Sequence, residues 1–159
     1  MRILPRWDEA LLLSIVKSLG VYKGVGGIKP HKALLLILML ERFKKSQVSI
    51  VPYQEIAEDL RRAIKAFSDG RQAHADYPFW YLQNDHLLEV FYEPPLRFRI
   101  DKDFPPHQAL LKSKAVGKFP LWIEKLLRKN PTLIVKLQRL AAHQYVSRPL
   151  EEVLGTSSR

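Results

Sequence analysis

The sequence contains no cysteine in its 159 residues. Disulfide bonds, thiolate zinc sites and thiol nucleophiles are therefore excluded, because each needs a cysteine sulfur. Long apolar segments are also missing: the longest run, Ala33 to Leu40, has eight residues, whereas a membrane-spanning helix needs about 20. The start at Met1 lacks the apolar stretch and small-residue cleavage site of a signal peptide, so we expect a cytoplasmic protein that does not enter a membrane.

Acidic residues are few relative to basic ones. The chain has 16 Asp and Glu against 26 Lys and Arg, which gives a net charge of +10. Residues 1–50 and 101–159 each carry +6, whereas residues 51–100 carry -2. A strongly basic balance is typical of proteins with a polyanionic partner, and here the basic surface would be built from the two ends of the chain.

Prolines and glycines divide the chain into segments with helical spacing of apolar residues. Helices are predicted over 5–19, 30–45, 52–67, 106–115, 120–129 and 131–146, and the second, which is apolar almost all round, should be the buried centre. The glycine-rich stretch 20–29 reads as a loop.

Aromatic and branched residues on both sides of a short polar turn predict a β-hairpin. Its strands would be YPFWYLQ (77–83) and LLEVFY (87–92), joined at Asn84–Asp85, with LRFRI (96–100) as a third strand and another short strand near 48–51. We therefore expect a mostly α fold with a small antiparallel β-sheet, a winged-helix-like core and additional C-terminal helices. Residues 1–146 would form one domain, and 147–159 a tail or the start of a linker.

The sequence offers little chemistry of its own. No two of the five histidines lie four residues apart, the spacing that places two imidazoles on one metal. Neither a phosphate-binding G-x-x-x-x-G-K-[ST] loop nor a G-x-S-x-G elbow is present. We therefore expect no metal, no cofactor and no catalytic residues, and a binding module is favoured over an enzyme.

Two strings carry a family resemblance: Pro30-His31-Lys32 and, about 45 residues later, the segment beginning Tyr77-Pro78-Phe79-Trp80. Together they resemble the sulfur-binding domain of McrA-like HNH restriction endonucleases, which recognise phosphorothioated DNA, over roughly residues 5–146. The HNH nuclease domain that normally follows is missing here. The resemblance therefore implies recognition without cleavage, either in a fragment of a restriction enzyme or in a stand-alone module that works with a separate nuclease.

The resemblance also implies a site. In the family, sulfur sits in an apolar cavity walled by the tyrosine and proline of the YP pair and by a small residue, beside a basic rim. Here the walls would be Tyr77 and Pro78, with His31 and Lys32 beside them. The third wall position falls on Tyr81, which is not small, so this chain departs from the family pattern there.

The residues that contact bases or phosphates should lie on loops, where spacing does not define their roles. The candidates flank the two strings and follow the expected hairpin: Lys23, Lys29, Arg71, Gln72, His74, Arg97, Arg99 and Lys102.

Two other functions stay open on the sequence. A winged-helix transcriptional regulator would place the third helix in the major groove, but Glu55, Glu58 and Asp59 would then face phosphates. A small subunit that binds a protein partner through its basic surface is the other.

Overall fold

The computed structural model describes residues 6–20, 23–24, 27–28, 30–68, 74–98 and 103–157, with only the backbone at 23–24, 27–28 and 156–157. Most of these residues are helical. The α-helices are α1 (Glu9–Lys17), α2 (His31–Ser46), α3 (Tyr53–Phe67), α4 (Asp76–Tyr81), α5 (His107–Lys112), α6 (Leu121–Lys129), α7 (Thr132–Ala141) and α8 (Leu150–Ser157). A 3-10 helix (Leu82–Asp85) follows α4, and a π-helical turn (Ala142–Val146) follows α7.

The strands are short and antiparallel. Strands β3 (Val51–Pro52), β5 (Val116–Lys118) and β4 (Glu89–Phe91) form a sheet in the order β3-β5-β4. Strands β1 (Lys23–Gly24) and β2 (Gly27–Ile28) pair separately. The mostly α fold with a small antiparallel sheet is confirmed, whereas the winged-helix description stays a prediction.

Helix α2 is the centre of the core, as its sequence predicts. Every residue from Lys32 to Leu40 is buried, as is Phe43. The helix packs against α3, α4 and α7. Burying a leucine- or isoleucine-sized side chain stabilises a fold by about 1.5–3 kcal/mol, so this helix is the largest apolar contribution of any one element.

The segment predicted as the first strand of a hairpin is instead α4 and the 3-10 helix. Five residues of this segment are buried: Ala75, Asp76, Pro78, Phe79 and Leu82. Buried positions that recur every three to four residues fit a helix and not an alternating strand. Proline fits here because an N–H in the first turn has no acceptor within the helix. Packing therefore overrides the β-propensity of the aromatic residues.

Strand β4 pairs with β5, a strand the sequence pattern did not reveal, and not with the YPFW segment. Gly117 of β5 lies opposite both Val51 and Val90. Three residues with a central glycine carry too little pattern to be recognised as a strand. Residues 96–98 of the expected third strand are not in a sheet, and the remainder lies outside the described residues.

The expected tail at 147–159 contains α8. Leu150 and Val153 are buried, and α8 packs against α3. The folded core therefore extends beyond residue 146. Among the described residues, no helix is both long and apolar enough to cross a membrane.

The docking of α8 predicts opposite effects for two neighbouring substitutions. Val153→Ala should lower the free energy of unfolding by about 1–2 kcal/mol, because it removes buried methyl groups. Gly155→Ala should raise it by up to about 1 kcal/mol, because Gly155 is helical and nothing lies within 4 Å of a built Cβ atom. Urea unfolding of both variants measures these changes, and a mobile tail would leave stability unaltered in both.

Candidate nucleic-acid interface

Three aromatic rings meet on the outer side of α4. The ring centroids of Tyr77 and Tyr81, one helical turn apart, lie 4.8 Å from each other. Phe104, from the segment before α5, packs edge-on against both, at 5.7 Å from each. All three side chains are half-buried. The cluster therefore presents a rigid, largely apolar surface on which polar groups are few.

Tyr81 has an acidic neighbour, Asp103. Burial, followed by the side chain of Asp103, raises the pKa of Tyr81 to about 12. The phenol is therefore protonated at neutral pH and brings no charge into the aromatic cluster.

A buried carboxylate fixes the first turn of α4. Asp76 Oδ1 accepts from the Tyr77 N–H at 2.8 Å, and Oδ2 accepts from the His107 N–H at 3.1 Å. One side chain thus joins the start of α4 to the start of α5. Below it, Tyr53 Oη lies 2.6 Å from His107 Nδ1, and burial followed by the charge of Asp76 raises the pKa of Tyr53.

The inner side of α4 is fixed by Phe79. Its ring packs edge-on against Tyr53, with centroids 4.8 Å apart. A Cβ atom at Gly117 would lie 3.0 Å from the Phe79 ring and 3.1 Å from Leu88, so the strand approaches α4 as closely as only glycine allows. Tyr77 and Pro78 are therefore held by packing on α3 and on the sheet.

The sequence analysis expected Lys32 in a basic rim beside the cavity, but the structure buries this side chain. Its ammonium lies 2.8 Å from Asp85 Oδ2, and the two side chains are only 8% and 9% exposed. Asp85 Oδ1 also accepts from the Gly20 N–H at 2.6 Å. The lysine is buried because α2 is packed from its first turn onward, and a buried ammonium requires an anionic partner.

The other predicted residues are placed only in part. His31 is the first residue of α2 and is half-buried, whereas His74 and Arg97 are exposed. The backbone of Lys23 lies in β1, and its side chain is outside the described part of the chain. Five further predicted contact residues also lie outside it: Lys29, Arg71, Gln72, Arg99 and Lys102.

An exposed aromatic surface lies beside Arg97. Trp80 of α4 packs edge-on against Phe98, with centroids 5.6 Å apart, and tilted against Tyr92 at 6.4 Å. Phe98 and Tyr92 are both 45% exposed. Trp80 thus extends the aromatic surface of α4 towards the chain that follows β4.

Sequence reasoning missed Phe104, Asp103 and Asp76. Phe104 and Asp103 come just before Pro105 in a segment without periodicity, and Asp76 lies one residue before the segment that was expected to be a strand. The only available signal was the position of Asp76 directly before the YP pair, where acidic residues cap helices. Among the described residues, no three His, Asp or Glu side chains are grouped so that they could hold a metal ion.

Comparison with known proteins identifies the fold. A family model described as ScoMcrA-like, DNA sulfur-binding domain, matches residues 9–155. The solved sulfur binding domain of ScoMcrA complexed with phosphorothioated DNA is 18% identical, with a TM-score of 0.75, covering 89% of this chain and 97% of that chain. No curated protein matches the sequence.

Two further solved structures are similar. The sulfur binding domain of SprMcrA complexed with phosphorothioated DNA is 15% identical, with a TM-score of 0.72, covering 94% of this chain and 95% of that one. For the Type IV phosphorothioation-dependent restriction endonuclease ScoMcrA the identity is 16% and the TM-score 0.70, and the match spans 91% of this chain but 26% of that one. The resemblance carried by the PHK and YPFW strings is confirmed, and the chain belongs to the ScoMcrA-like DNA sulfur-binding domain family.

Proposed function

We propose that this chain binds double-stranded DNA in which sulfur replaces one non-bridging phosphate oxygen, and that it recognises the sulfur at the aromatic surface of α4. The observation that carries the proposal is the apolar cluster of Tyr77, Tyr81 and Phe104, adjoining Pro78, in a chain of this family. Relatives with this fold are complexed with phosphorothioated DNA.

An apolar surface favours sulfur over oxygen because it offers no hydrogen-bond donor. Sulfur is larger, more polarisable and a weaker hydrogen-bond acceptor than oxygen, so it loses less when its hydration is removed. A polar atom buried without a partner costs about 1–3 kcal/mol. The faces and edges of the aromatic rings carry no N–H or O–H group that could compensate an oxygen for its lost hydration. Selectivity of roughly ten- to a hundredfold follows from this difference.

Tyr81 and Phe104 take the place of the small third wall that the family resemblance implies. We propose that these two rings form the far wall of the cavity, which is then shaped by ring edges. His31, at the start of α2, is the proposed neighbour of the cavity on its other side. Lys32 then acts from inside the fold and does not touch the DNA.

Affinity for the rest of the duplex comes from basic groups. We propose that Arg97, and the loop residues Lys23, Lys29, Arg71, Gln72, His74, Arg99 and Lys102, contact phosphates and bases. The net charge of +10 supports a polyanionic partner.

The regulator hypothesis loses support on α3. The exposed acidic residues of that helix form ion pairs: Arg42 with Glu55 at 2.6 Å, Arg61 with Glu58 at 3.7 Å, and Arg62 with Asp59. Its surface is therefore close to neutral and offers few free cations to a phosphate backbone, which a recognition helix needs on its flanks.

We propose further that the chain is the recognition part of a modification-dependent restriction system and does not itself cut DNA. It spans about a quarter of the ScoMcrA endonuclease, 26% of that chain, so cleavage would reside elsewhere. A nuclease in the same polypeptide and a separate nuclease are both compatible with this role.

The proposal is tested by competition binding between duplexes that are identical except for one Rp phosphorothioate, at two salt concentrations. The modified duplex should bind about ten- to a hundredfold more tightly at both concentrations, because the sulfur contact is not electrostatic. Equal affinities would favour a general DNA-binding protein, and no affinity for either duplex would favour a protein partner.

Removing the cavity wall should abolish the preference. Tyr77→Ala and Pro78→Ala should each reduce the affinity ratio of modified to unmodified duplex at least about tenfold, because the sulfur loses its apolar contacts. The matched control is Trp7→Ala, which removes an exposed aromatic ring that packs on Trp122 of α6, outside the aromatic surface of α4. If both wall variants are folded and keep the full ratio, the cavity lies elsewhere.

Arg97→Gln should weaken binding to both duplexes alike. If Arg97 contacts one phosphate, its loss lowers the slope of log affinity against log salt by about 0.9 and leaves the affinity ratio unchanged. Fluorescence anisotropy at four salt concentrations measures both quantities. An unaltered slope would place Arg97 outside the interface.

A further inference from the structure

A single buried carboxylate joins the three chain segments that the proposed site requires. Asp85, at the end of the 3-10 helix that follows α4, is 2.8 Å from Lys32 of α2 and 2.6 Å from the N–H of Gly20. Gly20 is the residue at which the glycine-rich loop begins. The loop, the start of α2 and the end of the α4 segment therefore meet at one side chain.

The charge of Asp85 is needed at this position for two reasons. The first turn of α2 contains no acidic residue but does contain Lys32, and a cation near a helix N-terminus is unfavourable because the macrodipole is positive there. Both side chains are also more than nine-tenths buried. Their separation from water makes each dependent on the other, since a lone buried charge is strongly destabilising.

The end of α1 is fixed independently on the same side. Tyr145 Oη accepts from the Leu19 N–H at 3.0 Å and donates to the Val16 carbonyl oxygen at 2.7 Å. Gln144 Nε2 donates to the Lys17 carbonyl oxygen at 2.8 Å. With α1 held by the π-helical turn, the bond from Gly20 to Asp85 sets where the loop leaves the core relative to α4.

We propose that Asp85 and Lys32 are positioning residues for phosphorothioate recognition: their ion pair holds Gly20 and His31 in register with the sulfur-contacting surface of α4. The inference rests on the proposed function. Lys32 then contributes no charge to the DNA interface, because its ammonium is neutralised inside the protein. It acts on selectivity through the placement of its neighbours.

The experiment compares Asp85→Asn, Lys32→Gln and the double variant with wild type. Each is assayed at a temperature at which circular dichroism shows it to be folded, using the matched duplexes with and without one Rp phosphorothioate. The double variant matters most, because removing both charges leaves no unpaired buried charge, which is the strongly destabilising case. We expect it to be folded and to have an affinity ratio lower by roughly tenfold, within the range of measured pair couplings.

A second readout separates positioning from phosphate binding. Lys32→Gln should leave the salt slope for the unmodified duplex as in wild type, whereas loss of a phosphate contact lowers it by about 0.9. Lys45→Gln is the matched control, because it removes a lysine from the same helix about 20 Å away, on a side chain that is 70% exposed. It should change neither the stability nor the affinity ratio.

Each outcome supports or contradicts the positioning role of the ion pair. A folded double variant with the wild-type ratio, or a salt slope reduced by about 0.9 in Lys32→Gln, contradicts the positioning role while leaving the proposed function intact. A wild-type affinity ratio of one contradicts the proposed function and, with it, this inference. A folded double variant with a reduced ratio and an unaltered slope supports both.

Discussion

Burial of α2 on every side is the constraint on which the rest of the structure depends. Because nine consecutive residues from Lys32 to Leu40 are buried, the first turn of the helix is already inside the protein, and its lysine is taken from water with it. A buried ammonium needs an anion, and Asp85 supplies it. That requirement brings the end of the α4 segment to the start of α2. The two sequence strings that carry the family resemblance thus become neighbours through the demands of the core.

The site itself is held in a similar way, by polar groups that are satisfied within the protein. Asp76 accepts from two backbone N–H groups, at the starts of α4 and α5. With these groups occupied, what α4 presents outward is ring surface. An apolar surface on a chain with a net charge of +10 suits a ligand that is a polyanion with one weakly hydrated atom. General affinity and sulfur selectivity are then separate properties of separate residues.

The fold could be predicted from the sequence to a useful degree, for identifiable reasons. Helices α2, α3, α6 and α7 each begin directly after a proline. The apolar residues on nearly every side of α2 predicted that this helix is buried. The aromatic run at 77–83 was wrongly predicted as a strand because its residues have a high β-propensity. The burial of Phe79 and Leu82, three residues apart, instead favours a helix. Strand β5 and helix α8 were missed because three residues, and eight residues at a chain end, carry little periodic signal.

Candidate site residues could be proposed from the sequence only where the chemistry is local in the chain. Tyr77, Pro78 and His31 lie within recognisable strings, whereas the contacts of Phe104 with Tyr77 and of Lys32 with Asp85 join residues far apart in sequence. The residues next to Lys32 in the sequence do not predict its burial, because lysine is almost always exposed unless it has a charged partner. Its role changed from a DNA contact to a proposed internal support once its partner was known.

The central claim is that an apolar surface on α4 recognises sulfur at one defined position on the phosphate. Two duplexes that carry the same phosphorothioate as the Rp or the Sp diastereomer have the same composition and charge and differ only in where the sulfur points. The ratio of their dissociation constants therefore measures recognition of the sulfur without an electrostatic contribution. The account predicts that the Rp duplex binds about ten- to a hundredfold more tightly and that the Sp duplex binds like unmodified DNA. Equal affinity for the two diastereomers would contradict it.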